Sequence, residues 1–170
     1  MNKRQLLIAT GLLGTSLLGG CGFQLRGTQR YAFSSIAIPS AGRSLSLLVT
    51  ELRRTLLEAP GMSVITEPAR VNQAQVVLDI LQDQREKTAV GLSVAGQVRE
   101  FQLRLRVKYR LRTPSGRELI EESELTQTRQ ISYNESQALA KETEEALLYR
   151  DMQSDLISQM LRRLSTLTSL

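Results

Sequence analysis

The stretch from residue 98 to residue 112 constrains the fold more than any other part of the chain. Every second position from Phe101 to Leu111 is apolar, and the positions between them are polar, positively charged from Arg104 onward. Because side chains alternate across a strand, this pattern predicts one buried face and one face that carries a row of positive charge. We call this row the cation row; it consists of Arg104, Arg106, Lys108, Arg110 and Arg112.

Weaker patterns precede this strand. Residues 35–38 alternate and stop at Pro39, which is typical of a short strand. Apolar residues at helical spacing from Leu45 to Leu56 predict an amphipathic helix, with capping residues at 40–44 and a stop at Pro60 and Gly61. Val64 and Ile65 are candidates for a brief strand. Residues 76–90 predict a long strand, and 91–96 a turn.

The patterns after the cation row predict a returning strand and a long helix. Residues 113–116 have turn composition, and 118–129 form a less regular strand. Ser132 and Glu135 have the spacing of a capping box, and no Gly or Pro follows before Leu164. The predicted apolar stripe of this helix is Ala146, Tyr149, Met152, Leu156, Met160 and Leu164.

The predicted order is strand, helix, three strands, helix (β-α-β-β-β-α). A sheet with one apolar face needs cover, and two amphipathic helices can provide it. We therefore expect an α+β two-layer sandwich, formed by a single domain over residues 33–166, with a frayed tail at 167–170.

The N-terminus has the pattern of a lipoprotein leader. Lys3 and Arg4 precede an apolar run from 6 to 18, which is too short to span a bilayer. Residues 18–21, Leu-Gly-Gly-Cys, resemble a lipobox, and Cys21 is the only cysteine. The pattern predicts removal of 1–20, an N-acyl group and an S-diacylglycerol on Cys21, and a lipidated tether over 21–32. The alternative is an ordinary signal peptide with a chance cysteine.

Composition argues against an enzyme. The chain has no His, and a lipidated Cys21 offers no thiol, so a Ser/His/Asp hydrolase is excluded and a transition-metal site is not expected. Asp79 and Asp83, placed on one face of a strand, would lie roughly 13 Å apart, too far for a catalytic carboxylate pair.

Loss of Lys3 and Arg4 with the leader leaves 20 of the 22 basic residues against 17 acidic ones. This balance does not indicate nucleic-acid binding. No cofactor is expected beyond the covalent lipid.

Several segments resemble the LPS-assembly lipoprotein LptE family, where LPS is lipopolysaccharide. They are residues 21–27 (CGFQLRG), 96–103 (GQVREFQL), 134–141, 150–152 (RDM) and 159–164 (QMLRRL). The resemblance implies two helices on one face of a four-stranded mixed sheet. It also implies a 1:1 complex with the outer-membrane β-barrel LptD, whose lumen the lipoprotein plugs and whose assembly it assists while LPS is delivered to the outer leaflet. The residue after Cys21 is Gly22 and not Asp, which, by resemblance to the way bacterial lipoproteins are sorted, favours the outer membrane over retention in the inner membrane.

Candidate LPS-binding residues come from two sources. Lys141 matches a basic family position, whereas Val94 and Ala95 occupy the loop where some members carry a basic residue, leaving Arg99 as the nearest cation. The cation row could bind LPS phosphates or acids in a barrel lumen, because Arg donates paired hydrogen bonds to such groups. Alternatively, the row is a solvated face, and cross-strand pairs with Glu118, Glu121, Glu122 and Glu124 would neutralise part of it. A lone lipoprotein that binds anionic envelope ligands remains the alternative function.

Overall fold

A computed structural model of the chain describes residues 30–39 and 46–169. The predicted leader, Cys21, most of the tether and the capping residues 40–44 lie outside these ranges. The described elements follow the order β1 (Ser35–Ala37), α1 (Leu47–Leu57), β2 (Ser63–Ile65), β3 (Val76–Leu92), β4 (Val98–Arg112), β5 (Glu118–Ser132) and α2 (Ala138–Ser165). Two 3-10 helices, Pro68–Gln73 and Glu135–Gln137, precede β3 and α2.

The strands form one mixed sheet in the order β2-β1-β3-β4-β5. β1 pairs in parallel with both β2 and β3, whereas β3, β4 and β5 are antiparallel neighbours. The parallel pair β1 and β2 is joined through α1, because a parallel connection needs a crossover long enough to return the chain to the same end of the sheet. The long antiparallel strands therefore form most of the sheet.

The α+β class and the mixed sheet are confirmed, but the count of four strands is wrong. The described sheet has five strands, and β2 is only three residues long. β2 contains the candidate strand at Val64 and Ile65, which the predicted element order leaves out, because two consecutive apolar residues show no alternation and the pairing with β1 is what defines the strand. The two 3-10 helices, of six and three residues, were also not predicted, since elements this short leave no periodic apolar pattern.

Both α-helices cover the same face of the sheet. Leu48, Leu52 and Leu56 of α1 join one hydrophobic cluster with the apolar face of β4 and with the buried stripe of α2. That stripe begins at Tyr149 rather than at Ala146, which is exposed. The buried members of β4 are Leu103, Leu105, Val107, Tyr109 and Leu111.

A smaller cluster covers the opposite face at the parallel end of the sheet. Ala37, Ile65 and Val77 pack there with Ala74, and Val71 of the 3-10 helix lies against them. The rest of that face, which includes the polar side of β4, carries no helix among the described residues. We call it the open face.

Segments beside the predicted domain also contribute to packing. The rings of Tyr31 and Phe33 lie 5.4 Å apart between centroids, and Tyr31 packs against the main cluster, although residue 31 was placed in the tether. Leu167, in the predicted tail, is partly buried against the same cluster.

The capping box prediction at Ser132 is wrong. Ser132 is the last residue of β5, and the side chain of Asn134 accepts a hydrogen bond from the backbone N–H of Ser136 at 3.2 Å. In α1, Ser46 is the cap, and its Oγ accepts from the N–H of Val49 at 3.2 Å. Each cap therefore lies only two residues beyond the region predicted for it.

Candidate functional site

The cation row lies on the open face, beside acidic residues of both neighbouring strands. Directly opposed residues of antiparallel strands point to the same side of a sheet. The register places Arg104 opposite Glu86 of β3, and Lys108 opposite Glu124 of β5. Sequence reasoning considered acids from β5 alone, so it missed the contribution of β3.

Asp79 on β3 pairs with the two cations of the row that lie nearest the parallel strands. Its carboxylate accepts hydrogen bonds from Nε of Arg110 at 3.0 Å and from Nε of Arg112 at 2.8 Å. Partial burial raises the pKa of Asp79, but the hydrogen bonds and charges of these two guanidinium groups outweigh it, so the pKa lies below its usual value. Asp79 is thus held as an anion at neutral pH.

Asp79 and Asp83 do not share a face of β3, contrary to the sequence-based placement. The β3–β4 register shifts between Ile80 and Gln82, so a β-bulge leaves Leu81 as an extra residue. Asp79 lies opposite Arg110 on the open face, whereas Asp83 lies opposite the buried Val107. From Gln82 to Ala89, where the register is regular, each side chain of β3 points to the face opposite to the one that strict alternation from Asp79 predicts.

Four glutamates complete the pairing of the cation row, and three of them contact the cations that Asp79 does not reach. Glu86 lies 3.6 Å from Arg104 and 3.9 Å from Arg106. Glu124 lies 3.4 Å from Arg106 and 3.7 Å from Lys108. Glu122 reaches Lys108 at 3.8 Å, and Glu118 reaches Arg110 at 3.8 Å.

The open face is therefore balanced in charge along the cation row. The five cations of the row lie within 4.0 Å of five carboxylates, those of Asp79, Glu86, Glu118, Glu122 and Glu124. Three of the four glutamates proposed from sequence take part; Glu121 forms no ion pair among the described residues. This geometry favours the cross-strand pairing alternative, and anion binding by the cation row stays a prediction.

Lys141 lies apart from the cation row, near the start of α2. Its ammonium group donates to Glu144 at 2.8 Å and to Oγ of Ser132 at 3.1 Å, and only 18% of its side chain is exposed. It borders a small cleft of about 100 Å³ whose floor includes Phe101, Ile131 and Tyr133. The cleft thus places a cation beside apolar rings.

Arg99 lies on β4 at the same end of the sheet as Lys141. Its carbonyl oxygen accepts from the N–H of Tyr133 at 2.7 Å, and the residue is exposed. No carboxylate lies within 4.0 Å of its guanidinium group in the described part of the chain. The structure therefore separates the candidate cations into two groups: the paired cation row, and Lys141 and Arg99 at the end of the sheet away from the parallel strands. We call this the distal end.

A buried polar contact positions α2 over the sheet. Gln153 of α2, only 4% exposed, accepts from Arg85 of β3 at 2.9 Å and donates to Glu51 of α1 at 2.6 Å. Next to it, Tyr149 donates to the carbonyl of Glu86 at 2.7 Å. These contacts join both helices to β3.

The described residues hold no group of three or more acidic or Cys side chains arranged to bind a metal ion. Within the same ranges, no helix combines the length and the apolarity needed to cross a membrane.

Comparison with known proteins shows which family and which solved structures this chain resembles. The family model described as Lipopolysaccharide-assembly, LptE, matches residues 32–164. No curated protein sequence matches the chain. The solution structure of an uncharacterized lipoprotein B from Nitrosomonas europaea is similar, with 33% identity, a TM-score of 0.69, and coverage of 85% of this chain and 90% of that one.

Two crystal structures share the fold at lower identity. A minor lipoprotein from Acinetobacter baumannii is 21% identical with a TM-score of 0.61, covering 81% of this chain and 94% of its own. The rare lipoprotein B from Shewanella oneidensis is 21% identical with a TM-score of 0.60, covering 78% and 94%. The family model spans nearly all the described residues, so the chain belongs to the LptE family of lipopolysaccharide-assembly proteins.

Proposed function

We propose that the chain is the lipoprotein subunit of the outer-membrane LPS translocon. In this role it binds the LptD β-barrel in a 1:1 complex, assists its assembly, plugs its lumen and helps to deliver LPS to the outer leaflet. The observation that carries the proposal is the family match over residues 32–164, which spans both helices and all five strands. The family is not an enzymatic one, and the chain itself lacks His.

The open face supports the plug role by its chemistry. A large barrel has a polar interior, so a plug needs a surface that tolerates polar walls. Toward the distal end of the sheet, where the cation row ends, most side chains pointing to this face are uncharged and polar (Thr88, Gln102, Thr128, Gln130 and Ser132), and Glu100, opposite Ser132, adds one carboxylate. A polar face whose cation row is balanced in charge can lie against such a wall without leaving a cation of the row unpaired.

Lipidation of Cys21 and an outer-membrane location belong to the same proposal. Three acyl chains would hold the protein on the membrane permanently. Intact-mass measurement of the native protein should give the mass of residues 21–170 plus one N-acyl group and one diacylglycerol. A mass that includes residues 1–20, or an unmodified thiol at Cys21, would refute the anchor.

The proposed complex is tested by co-purification from outer membranes. The acylated chain should bring down a large β-barrel in equal amount, identified by mass spectrometry of the partner. If the chain purifies alone while it still captures LPS, the alternative of a lone lipoprotein that binds anionic envelope ligands is supported instead.

The LPS contact is proposed for the distal cations Lys141 and Arg99, with the cation row as the second candidate. Replacing Lys141 and Arg99 with Gln should weaken LPS capture by the purified protein. Neutralising Arg106 together with Glu124 keeps the open face balanced and serves as the control. If only the control variant lost LPS capture, the site would lie on the cation row.

A further inference from the structure

The two turns that flank β4 have the same backbone geometry. In the distal turn, residues 93–97 between β3 and β4, the N–H of Ser93 donates to the carbonyl of Gln97 at 2.8 Å. In the proximal turn, residues 113–117 between β4 and β5, Thr113 donates to Arg117 at 2.8 Å. Each turn places a glycine with positive φ in its fourth position, Gly96 at 77° and Gly116 at 99°.

Side-chain contacts within the two turns also correspond. Oγ of Ser93 accepts from the N–H of Gln97 at 3.2 Å, and Oγ1 of Thr113 accepts from the N–H of Arg117 at 3.1 Å. These turns need a hydroxyl residue first and a glycine fourth. The second and third positions are left free by the backbone, so their side chains are not dictated by folding.

The free positions differ sharply in polarity. The proximal turn carries Pro114 and Ser115 and is bordered by Arg112 and Glu118. The distal turn carries Val94 and Ala95, and it follows Val90 and Leu92 at the end of β3. Val94 is fully exposed, Leu92 is 65% exposed and Val90 is 47% exposed. We call Val90, Leu92 and Val94 the apolar tip.

A β-bulge contributes to the exposure of the apolar tip. The β3–β4 register shifts on both sides of Gly91, so Val90 has no directly opposed residue on β4. A side chain at Gly91 would bring its Cβ to 2.9 Å from Cβ of Glu100. Glycine is therefore required for this close approach, and the bulge it allows interrupts the pairing where Val90 lies.

The apolar tip lies in an uncharged span with charged borders. No residue from 88 to 98 is charged, and the span begins after Lys87 and ends before Arg99. Behind it, Phe101 and Tyr133 form an edge-to-face pair with centroids 5.2 Å apart. Leu139, another exposed aliphatic residue, lies in the first turn of α2 at the same end, two residues before Lys141, whose ammonium group donates to Ser132.

We propose that the apolar tip inserts into the hydrocarbon region of a lipid bilayer. The aliphatic residues lie at the narrow end of a two-stranded hairpin. Fluid acyl chains can surround such a narrow end on all sides, whereas a flat protein surface would cover only one side of it. Aromatic rings and long cationic side chains behind the apolar residues match the order of groups across a membrane interface. This inference rests on neither LPS nor a barrel partner, and it applies to the lipid-anchored chain before the chain enters a lumen, because a barrel wall would separate the apolar tip from the acyl chains.

Hydrophobic insertion rather than charge attraction drives this contact. Lys87 is already paired with Glu145 at 2.5 Å and lies 4.4 Å from the centroid of Phe101. Arg99 is followed directly by Glu100, so the border of the span carries little net charge. Binding should therefore need no anionic lipid and should be insensitive to salt.

A single tryptophan can report on the insertion, because the chain contains none. Ala95→Trp places it in the distal turn, and Ser115→Trp places it at the matched position of the proximal turn. Each full-length protein is reconstituted into phosphatidylcholine vesicles. With Ala95→Trp, emission should shift to shorter wavelength, and lipids brominated on the acyl chain should quench it. Emission from Ser115→Trp should be neither shifted nor quenched.

Further variants separate the outcomes. Leu92→Gln with Val94→Gln, added to Ala95→Trp, should remove the quenching while the melting temperature is kept, since both side chains are exposed. Raising salt from about 0.1 M to about 1 M, which shortens the Debye length to about 3 Å, should change nothing. Equal quenching at both turns, a shift that grows with protein concentration without lipid, or quenching only when LPS is added would each overturn the proposal.

Discussion

Among the acids of the open face, we expect Asp79 to contribute most to the stability of the fold. Its side chain is only 15% exposed and receives hydrogen bonds from two guanidinium groups. Hydrogen bonds to charged groups are the stronger ones in proteins, and a charge left without its partner is costly. Arg110 and Arg112, two positions apart on β4, would repel each other without this carboxylate.

Asp79→Asn should destabilise the fold by about 1–3 kcal/mol at neutral pH, because two cations lose their shared anion. Since the pKa of Asp79 is lowered in the folded state, its contribution is complete above the ordinary Asp value near ~3.9 and is lost as pH falls through the folded pKa. Urea unfolding of both proteins across pH should show their difference shrinking in acid.

Glu118→Gln is the matched control for Asp79→Asn, because Glu118 also contacts Arg110, at 3.8 Å, but 47% of its side chain is exposed. Its loss should cost less than about 1 kcal/mol. Equal costs at the two positions would show that hydrogen-bond geometry and burial do not distinguish them.

The entry to α2 offers a second residue-level prediction. Asn134→Ala should destabilise the protein by roughly 0.5–2 kcal/mol, because the amide of Ser136 loses its acceptor. Ser132→Ala removes only the contact between its hydroxyl and Lys141, so its effect should be smaller. Thermal unfolding of the two variants compares them directly, and a larger loss for Ser132→Ala would restore the sequence-based capping box.

Among the elements, those with long periodic patterns were predictable from sequence. The alternation of β4 places Leu103, Leu105 and Val107 in the core, as expected. The helical spacing from Tyr149 to Leu164 likewise gives the buried face of α2. In both cases a strong apolar period coincides with the face that the helices and sheet bury against each other.

Features that depend on a single residue or on pairing could not be predicted. The bulge at Leu81 inserts one residue without any sequence signal, so the facing of Asp83 was wrong. The acids opposite the cation row depend on the register that the two turns and the register shifts beside Gly91 set, and this register brings Glu86 opposite Arg104. The candidate site was therefore predictable in its cations and only partly in their partners.

The pair Arg106 and Glu124 tests how much the cation row contributes to stability. Their charged groups lie 3.4 Å apart and are partly solvated, so the expected coupling is about 0.2–1 kcal/mol. Urea unfolding of Arg106→Gln, Glu124→Gln and the double variant measures this coupling. A coupling indistinguishable from zero would show that the pair does not hold the two strands together.

At the scale of the whole molecule, the hydrophobic core supports only part of the long strands. The buried residues of β4 extend from Leu103 to Leu111, whereas β3 is mostly exposed from Gln84 to Leu92. The distal end of the sheet is held by backbone pairing and by polar contacts such as Lys87 with Glu145. The two ends of the sheet should therefore differ in local stability.

Amide hydrogen exchange should reveal this gradient along β4. Amides from Leu103 to Leu111 should exchange only through global unfolding, because the helices cover them. Amides from Val98 to Phe101 should exchange through local opening at lower free energy. Mass spectrometry or NMR under native conditions resolves the two groups, and uniform protection along the strand would contradict the expected gradient.

The balanced pairing on the open face also has a kinetic consequence. Five carboxylates cancel the five cations of the row, so this surface projects little long-range field. A surface without such a field cannot steer an approaching partner, and its association rate should stay in the unsteered range of roughly 10⁵–10⁶ M⁻¹s⁻¹. Whatever protein meets this face must be brought to it by diffusion and held by close fit, so tight binding there would come from slow dissociation.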